Sequence, residues 1–167
     1  PRQARLDAPG TLHHVIARGI ERRPIFLGPA DCDDFIARLE GAVTRGGAAV
    51  FAWALIPNHF HLLLRTGPVP ISTIMRRLLT GYALGYNRRH HRHGHLFQNR
   101  FKSILCQEDI YLLELIRYIH LNPIRARVVK DLDELDRYPY SGHSVIMGKI
   151  KTPWQDTEGV LGMFGEN

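Results

Sequence analysis

Hydrophobic and polar positions follow two periods along this chain, and each change of period marks an element. Residues 11–18 (TLHHVIAR) read as a first strand. The next eleven or so residues hold two prolines and two glycines with Arg22 and Arg23, and read as a loop. Asp31 can cap a helix running to about Arg45, with Phe35, Leu39 and Val43 repeating at i, i+4 and i+8. Gly46 and Gly47 end it. Residues 48–56 (AAVFAWALI) predict a second strand, Pro57-Asn58 a tight turn, and residues 59–65 a third strand. A second helix is expected from Ile71 to about Arg89, with Ile74, Leu78 and Tyr82 on one stripe. Residues 88–94 form a polar, basic loop, and a fourth strand is expected within 95–106. A third helix is expected from Glu108 to Asn122, stopped by Pro123. The order βαββαβα predicts an α+β, ferredoxin-like fold, a βαββαβ-type antiparallel sheet with packed helices.

Composition narrows the class. With 167 residues, 44% of them hydrophobic and 23% charged, the chain has enough apolar material for one domain with a core. Two cysteines, Cys32 and Cys106, are too few for a disulfide framework and suit a reducing compartment. No apolar run approaches the ~20 residues of a membrane span, and no signal-peptide pattern opens the chain. A cytoplasmic protein without a membrane partner is therefore expected. The chain begins at Pro1, and a helical pattern from Asp156 stops at Asn167. The expected division is a domain over residues 1–145 and a short C-terminal tail over 146–167, the start of a further region, anchored by Trp154.

Charge adds a partner. The net charge is +6, and no acidic residue lies between Glu40 and Glu108. The same stretch carries Arg45, Arg65, Arg76, Arg77, Arg88, Arg89, Arg92, Arg100 and Lys102. A one-sign run of this length directs a field at an anion, and nucleic acid is the expected one.

Two constellations carry candidate chemistry. His59-Phe60-His61 places both imidazoles on one side of the third strand, with Phe60, Leu62 and Leu64 on the core side. The pair reads either as two half-buried strand histidines or as two ligands for a divalent ion. Two other HxH triplets, at 91/93 and 93/95, lie among arginines in the basic loop and read as phosphate or surface contacts. On the third helix, Tyr111, Leu115, Tyr118 and Asn122 share one stripe, beside an apolar stripe of Leu112, Ile116 and Ile119. A phenol can act as a nucleophile, and an amide oxygen one turn away can complete a His-His-Asn site.

IPNHFHLLLR, RHGHLFQNRFKS and LIRYIHLNPIRARVV, in this order, resemble the IS200-like transposases, the single-tyrosine HUH nucleases. They are more similar still to the REP-associated tyrosine transposases of bacteria, and the likeness covers about residues 8–145. The resemblance implies His59 and His61 as metal ligands, Asn122 as the third, and Tyr118, not Tyr111, as the catalytic tyrosine. It implies Mg²⁺ or Mn²⁺, single-stranded DNA at a hairpin or repeat end, and a 5′-phosphotyrosine intermediate rejoined without ATP. It also implies a nucleoid-associated bacterial protein, and, in the REP-associated branch, a monomer rather than a homodimer.

The DNA contacts expected on this reading are Arg22, Arg23, Arg88, Arg89, Arg92, His95, Gln98, Arg100 and Lys102, with Tyr86, Phe97 or Phe101 available to stack on bases. Core packing is the expectation for Phe97 and Phe101, and a structural role for His13 and His14. The rival function is a catalytically retired protein that binds DNA hairpins. A third, an RNA-binding ferredoxin-like domain, requires aromatic platforms on central strands where this chain presents His59 and His61.

Overall fold

The computed structural model describes residues 7–107 and 110–165. Four strands, β1 (Leu12–Arg18), β2 (Ala49–Ile56), β3 (His59–Arg65) and β4 (Lys102–Cys106), form one sheet in the order β2-β3-β1-β4. Every neighbouring pair is antiparallel, as the ferredoxin-like reading requires. The helices are α1 (Pro29–Gly46), α2 (Ile71–Arg89), α3 (Ile110–Arg125), α4 (Leu132–Arg137), α5 (Gly142–Ile146) and α6 (Thr157–Gly165). Among the described residues no helix is long and apolar enough to cross a membrane.

Strand alternation divides the core in two. Val15, Ala17, Phe60, Leu62 and Leu64 face α1 and α2, where Phe35, Leu39, Ile74, Leu78 and Tyr82 bury their stripes. Leu12, Ala52, Ala54 and Leu63 face the other way, toward Leu112, Ile116 and Ile119 of α3. An irregularity between Val50 and Ala52 turns Phe51 to the α3 side as well. The face under α3 also carries His14, His59 and His61, so the fold places the histidine pair beneath the helix that bears Tyr118.

Two helix ends differ from the sequence expectation. Asp31 is not the cap of α1. Gly28 is, Pro29 opens the helix, and Asp31 reaches back to accept the Leu27 N–H at 2.8 Å. Pro123 does not stop α3, which runs through it to Arg125. Proline's fixed φ suits a helix, and the last turn stays bonded through the Ala126 N–H to the Asn122 carbonyl, 2.8 Å. The expected start of this helix at Glu108 lies outside the described residues.

The tail returns to the sheet. Tyr140 accepts the Leu55 N–H through its carbonyl at 2.9 Å, Trp53 donates its indole N–H to Gln155 at 2.8 Å, and Val160 is buried in the α3-side core. Trp154 is half-buried against Trp53, with ring centroids 5.4 Å apart. The β2 edge is thereby covered.

An ionic knot ties the start of α1 to the end of α2. Asp31 is buried and accepts from Arg89 Nε at 2.8 Å and His90 Nε2 at 2.9 Å, while Arg89 Nη1 bonds Asp34 at 2.8 Å. Burial opposes ionisation of Asp31, but the Leu27 N–H, His90 and Arg89 outweigh it and hold the carboxyl below its usual range. Asp31→Ala should cost about 2 kcal/mol, because it removes the buried carboxylate that joins Leu27, Arg89 and His90 and leaves the partly exposed Arg89 with Asp34 alone. Urea unfolding checks this, and a loss under about 1 kcal/mol would mean that the knot is dispensable.

Candidate active site

Antiparallel register sets the floor of the site. Ile16 pairs with His61 and Arg18 with His59 across β1 and β3, and Lys102 of β4 pairs with Ile16. Arg18, His59, His61 and Lys102 therefore share one end of one face. The two expected ligand rings lie 5.1 Å apart, nearly perpendicular at 77°. Tyr118 meets His61 from above, with centroids 5.7 Å apart and planes at 86°. Tyr118 is 38% exposed, so its ring can reach a ligand, whereas Asn122, one helical turn on, is only 7% exposed.

The histidines are neutral at pH 7. Burial, reinforced by the Arg18 charge, brings His59 down to about 4. Burial brings His61 down to about 3, with His14, His59 and Arg18 adding to the effect. A neutral ring keeps a lone pair for a metal. His59 Nδ1 lies 2.7 Å from Asn58 Oδ1, and Asn58 in turn donates through Nδ2 to the Arg22 carbonyl at 3.4 Å. An amide oxygen only accepts, so the His59 proton sits on Nδ1 and the Nε2 lone pair is free.

The donor set fits an octahedral divalent ion that keeps open positions. The expected set is two neutral imidazoles and the amide of Asn122, a residue buried one helical turn beyond Tyr118, and it brings no negative charge. Among the described residues no three His, Cys, Asp or Glu side chains are grouped to hold an ion. An ion held here must take its remaining ligands from water or substrate oxygens.

Three residues at the site were not singled out as site residues from the sequence. His14 was expected to be structural, but its Nε2 lies 2.9 Å from His61 Nδ1, the two rings edge to edge and nearly coplanar with centroids 5.2 Å apart. His13, by contrast, points to the other side and bonds Thr11 and Ser103. Arg18 flanks His59 by register. Arg125 lays its guanidinium over the Tyr118 ring, 5.0 Å from the centroid. Arg125 stands seven residues after Tyr118, a spacing visible in the sequence but hidden by the expectation that Pro123 ends the helix.

The expected DNA contacts divide. Gln98, Arg100 and Lys102 are exposed beside the site end of β1, where the Gln98 N–H bonds the Arg18 carbonyl at 2.7 Å. Arg22 and Arg23 are exposed in the strained turn after β1, where Glu21 and Arg22 adopt φ of 54° and 59°, and Arg23 pairs with Glu21 at 3.3 Å. Arg88 and His95 are exposed, away from the histidine face. Arg89 is withdrawn from the set, because its guanidinium is committed to Asp31 and Asp34. Arg92 holds its own loop, bonding Asn87 at 3.1 Å and the His95 carbonyl at 2.7 Å. Tyr86 is buried and bonds the Pro24 carbonyl, so it offers no face to a base. Phe97 and Phe101 pack against the α1–α2 core, as expected.

Sequence and fold comparisons agree with this architecture. The profile of the IS200-like transposases matches residues 10–122, more than half of the chain, and the chain belongs to that family. Membership carries a transposase-type role in DNA processing. The fold is similar to that of the REP-associated tyrosine transposase bound to a REP hairpin, with a TM-score of 0.72 over 93% of this chain and 90% of that one, at 16% identity. A transposase-assigned protein from Deinococcus radiodurans gives 0.49 at 20% identity, over 71% of this chain and 95% of that one. No curated protein matches the chain in sequence.

Proposed function

We propose that the protein is a metal-dependent single-strand DNA endonuclease and strand transferase of the REP-associated type, acting at hairpin-associated ends. The observation that carries this is the meeting of Tyr118 with His61 beside His59, on one face and one end of the sheet. The REP-associated branch is favoured by Asn122 in the motif YIHLN and by a likeness of fold that covers 93% of the chain.

His59, His61 and Asn122 would hold Mg²⁺ or Mn²⁺. Once bound, the ion supplies Lewis acidity to a phosphate oxygen. The residues of the chain do the rest. Tyr118 Oη attacks the phosphorus, the Tyr–O–P bond forms and the P–O3′ bond breaks. The phenolic proton is lost and the departing O3′ gains one. The ester is exchanged rather than hydrolysed, so attack by a 3′-hydroxyl reverses the step without ATP. Arg18 and Lys102 bring fixed positive charge to the floor of the site, and Arg125 does so at the nucleophile. Exposed Arg22, Arg23, Gln98 and Arg100 line the approach of the strand.

The test is strand exchange. A hairpin oligonucleotide with a labelled flank should, with Mn²⁺, yield an SDS-resistant protein–DNA adduct and recombine with an unlabelled acceptor end. Hairpin binding without adduct in either metal would favour the retired binder. His59→Ala and His61→Ala should each remove Mn²⁺ binding measured by paramagnetic relaxation, with hairpin affinity within about threefold of wild type. Retention of Mn²⁺ affinity in both variants would refute the ligand assignment.

A further inference from the structure

We propose that His14 is a positioning residue. Its Nε2 accepts the Nδ1–H of His61 and so fixes the tautomer that leaves the His61 Nε2 lone pair unprotonated. The inference deepens the metal reading above and rests on it for its consequence, though not for its geometry.

The contact of 2.9 Å joins two ring nitrogens, and a bond between two neutral imidazoles holds one proton. The rings are nearly parallel, at 21°, and both residues are buried, so neither ring turns freely. His14 reaches His61 along a diagonal of the β1–β3 ladder, since its direct partner is Leu63 and that of His61 is Ile16. This packing fixes which nitrogen of His61 is engaged.

His59 supplies the comparison that sets the direction. It too is bonded through Nδ1, to an oxygen that can only accept, and its Nε2 is left bare. Both histidines of the HFH triplet are thus gripped at Nδ1, one by Asn58 and one by His14. Two ligands of the same kind on alternate positions of one strand present the same atom to the site if each carries its proton on Nδ1. In the opposite arrangement, His14 donates and His61 carries its proton on Nε2, where it cannot ligate. Imidazole side chains in water favour the Nε2–H form, so the required tautomer of His61 needs a fixed acceptor. His14 Nε2 is the acceptor in contact.

Long-range ¹H–¹⁵N spectra of the metal-free protein near pH 7.5 read the tautomer directly. Wild-type His61 should carry its proton on Nδ1. His14→Phe should move the proton to Nε2, and His14→Gln, whose amide oxygen can accept, should restore it. Mn²⁺ affinity should fall about 10- to 100-fold in His14→Phe and recover to within about threefold in His14→Gln. A wild-type His61 protonated on Nε2 would overturn the proposal, as would a tautomer and an affinity unmoved by His14→Phe. Because the wild-type spectrum needs no substitution, a poorly folded variant would not remove the test. Failure of the wild type to bind Mn²⁺ would count against the metal reading alone, and the tautomer would still decide the role of His14.

Discussion

Tyr118→Phe should abolish strand cleavage and covalent adduct, by more than about 10³-fold, and leave hairpin affinity within about twofold. Phenylalanine keeps the ring that meets His61 edge-to-face and supports Arg125, so the site should keep its shape and lose only the proposed attacking oxygen. Tyr111→Phe is the control. Both tyrosines lie on one stripe of α3, but they reach opposite ends of the sheet. Tyr111 is 69% exposed beside Cys106, whose ladder partner Leu12 begins β1. Tyr118 stands at the Arg18 end, over His61. Tyr111→Phe should therefore cleave at the wild-type rate, measured in a single-turnover gel assay. Loss of cleavage in Tyr111→Phe with retention in Tyr118→Phe would reverse the assignment.

Mild acid should unfold the metal-free protein well above the carboxylate range. His14 and His59 are held neutral down to about 4, and His61 and His120 down to about 3. Burial is the chief cause for all four, with the charges of Lys102 on His14 and Arg18 on His59 and His61 adding to it. His120 is buried on the far side of α3, its Nε2 without a hydrogen-bond partner among the described residues, 6.3 Å from the His143 ring. In the unfolded chain all four titrate near ~6.5. As pH falls below ~6.5 the unfolded state takes up protons that the folded state refuses, so stability falls with pH. Each group contributes about 1.4 kcal/mol per pH unit until its folded value is reached, and the four together roughly 5. Urea midpoints at pH 7.5, 6 and 5 test this. A midpoint flat from pH 7.5 to 5 would contradict the burial of neutral histidines. Saturating Mn²⁺ should raise the midpoint wherever it binds, because the ion prefers the folded, neutral pair.

Local pattern carried the sequence reading a long way. The period-2 runs and the Pro57-Asn58 turn located β2 and β3 to within a residue, because a sheet face buried under helices tolerates no slip of register. The stripe on α3 paired Tyr118 with Asn122, since helical spacing is set by geometry alone. What stayed hidden was non-local. That His14 lies against His61 depends on the pairing of β1 with β3, and nothing within TLHHVIAR distinguishes His14 from His13 as the one facing the site. Arg89 looked like one more cation in a basic run, but its partners Asp31 and Asp34 lie more than fifty residues earlier. Arg125 lies beyond Pro123, which reads locally as a helix stop, but a proline in the last turn costs α3 one donor and does not end it.

Mapping the covalent bond identifies the residue that attacks the strand. Wild-type protein is trapped on a hairpin-ended single strand with Mn²⁺, digested with nuclease and trypsin, and the residual nucleotide located by tandem mass spectrometry. The expected product is a 5′-phosphotyrosyl bond on Tyr118 and a free 3′-hydroxyl on the released fragment. Nucleotide on Tyr111, or on any other residue, would contradict it, as would cleavage to hydrolysed ends with no protein-linked strand.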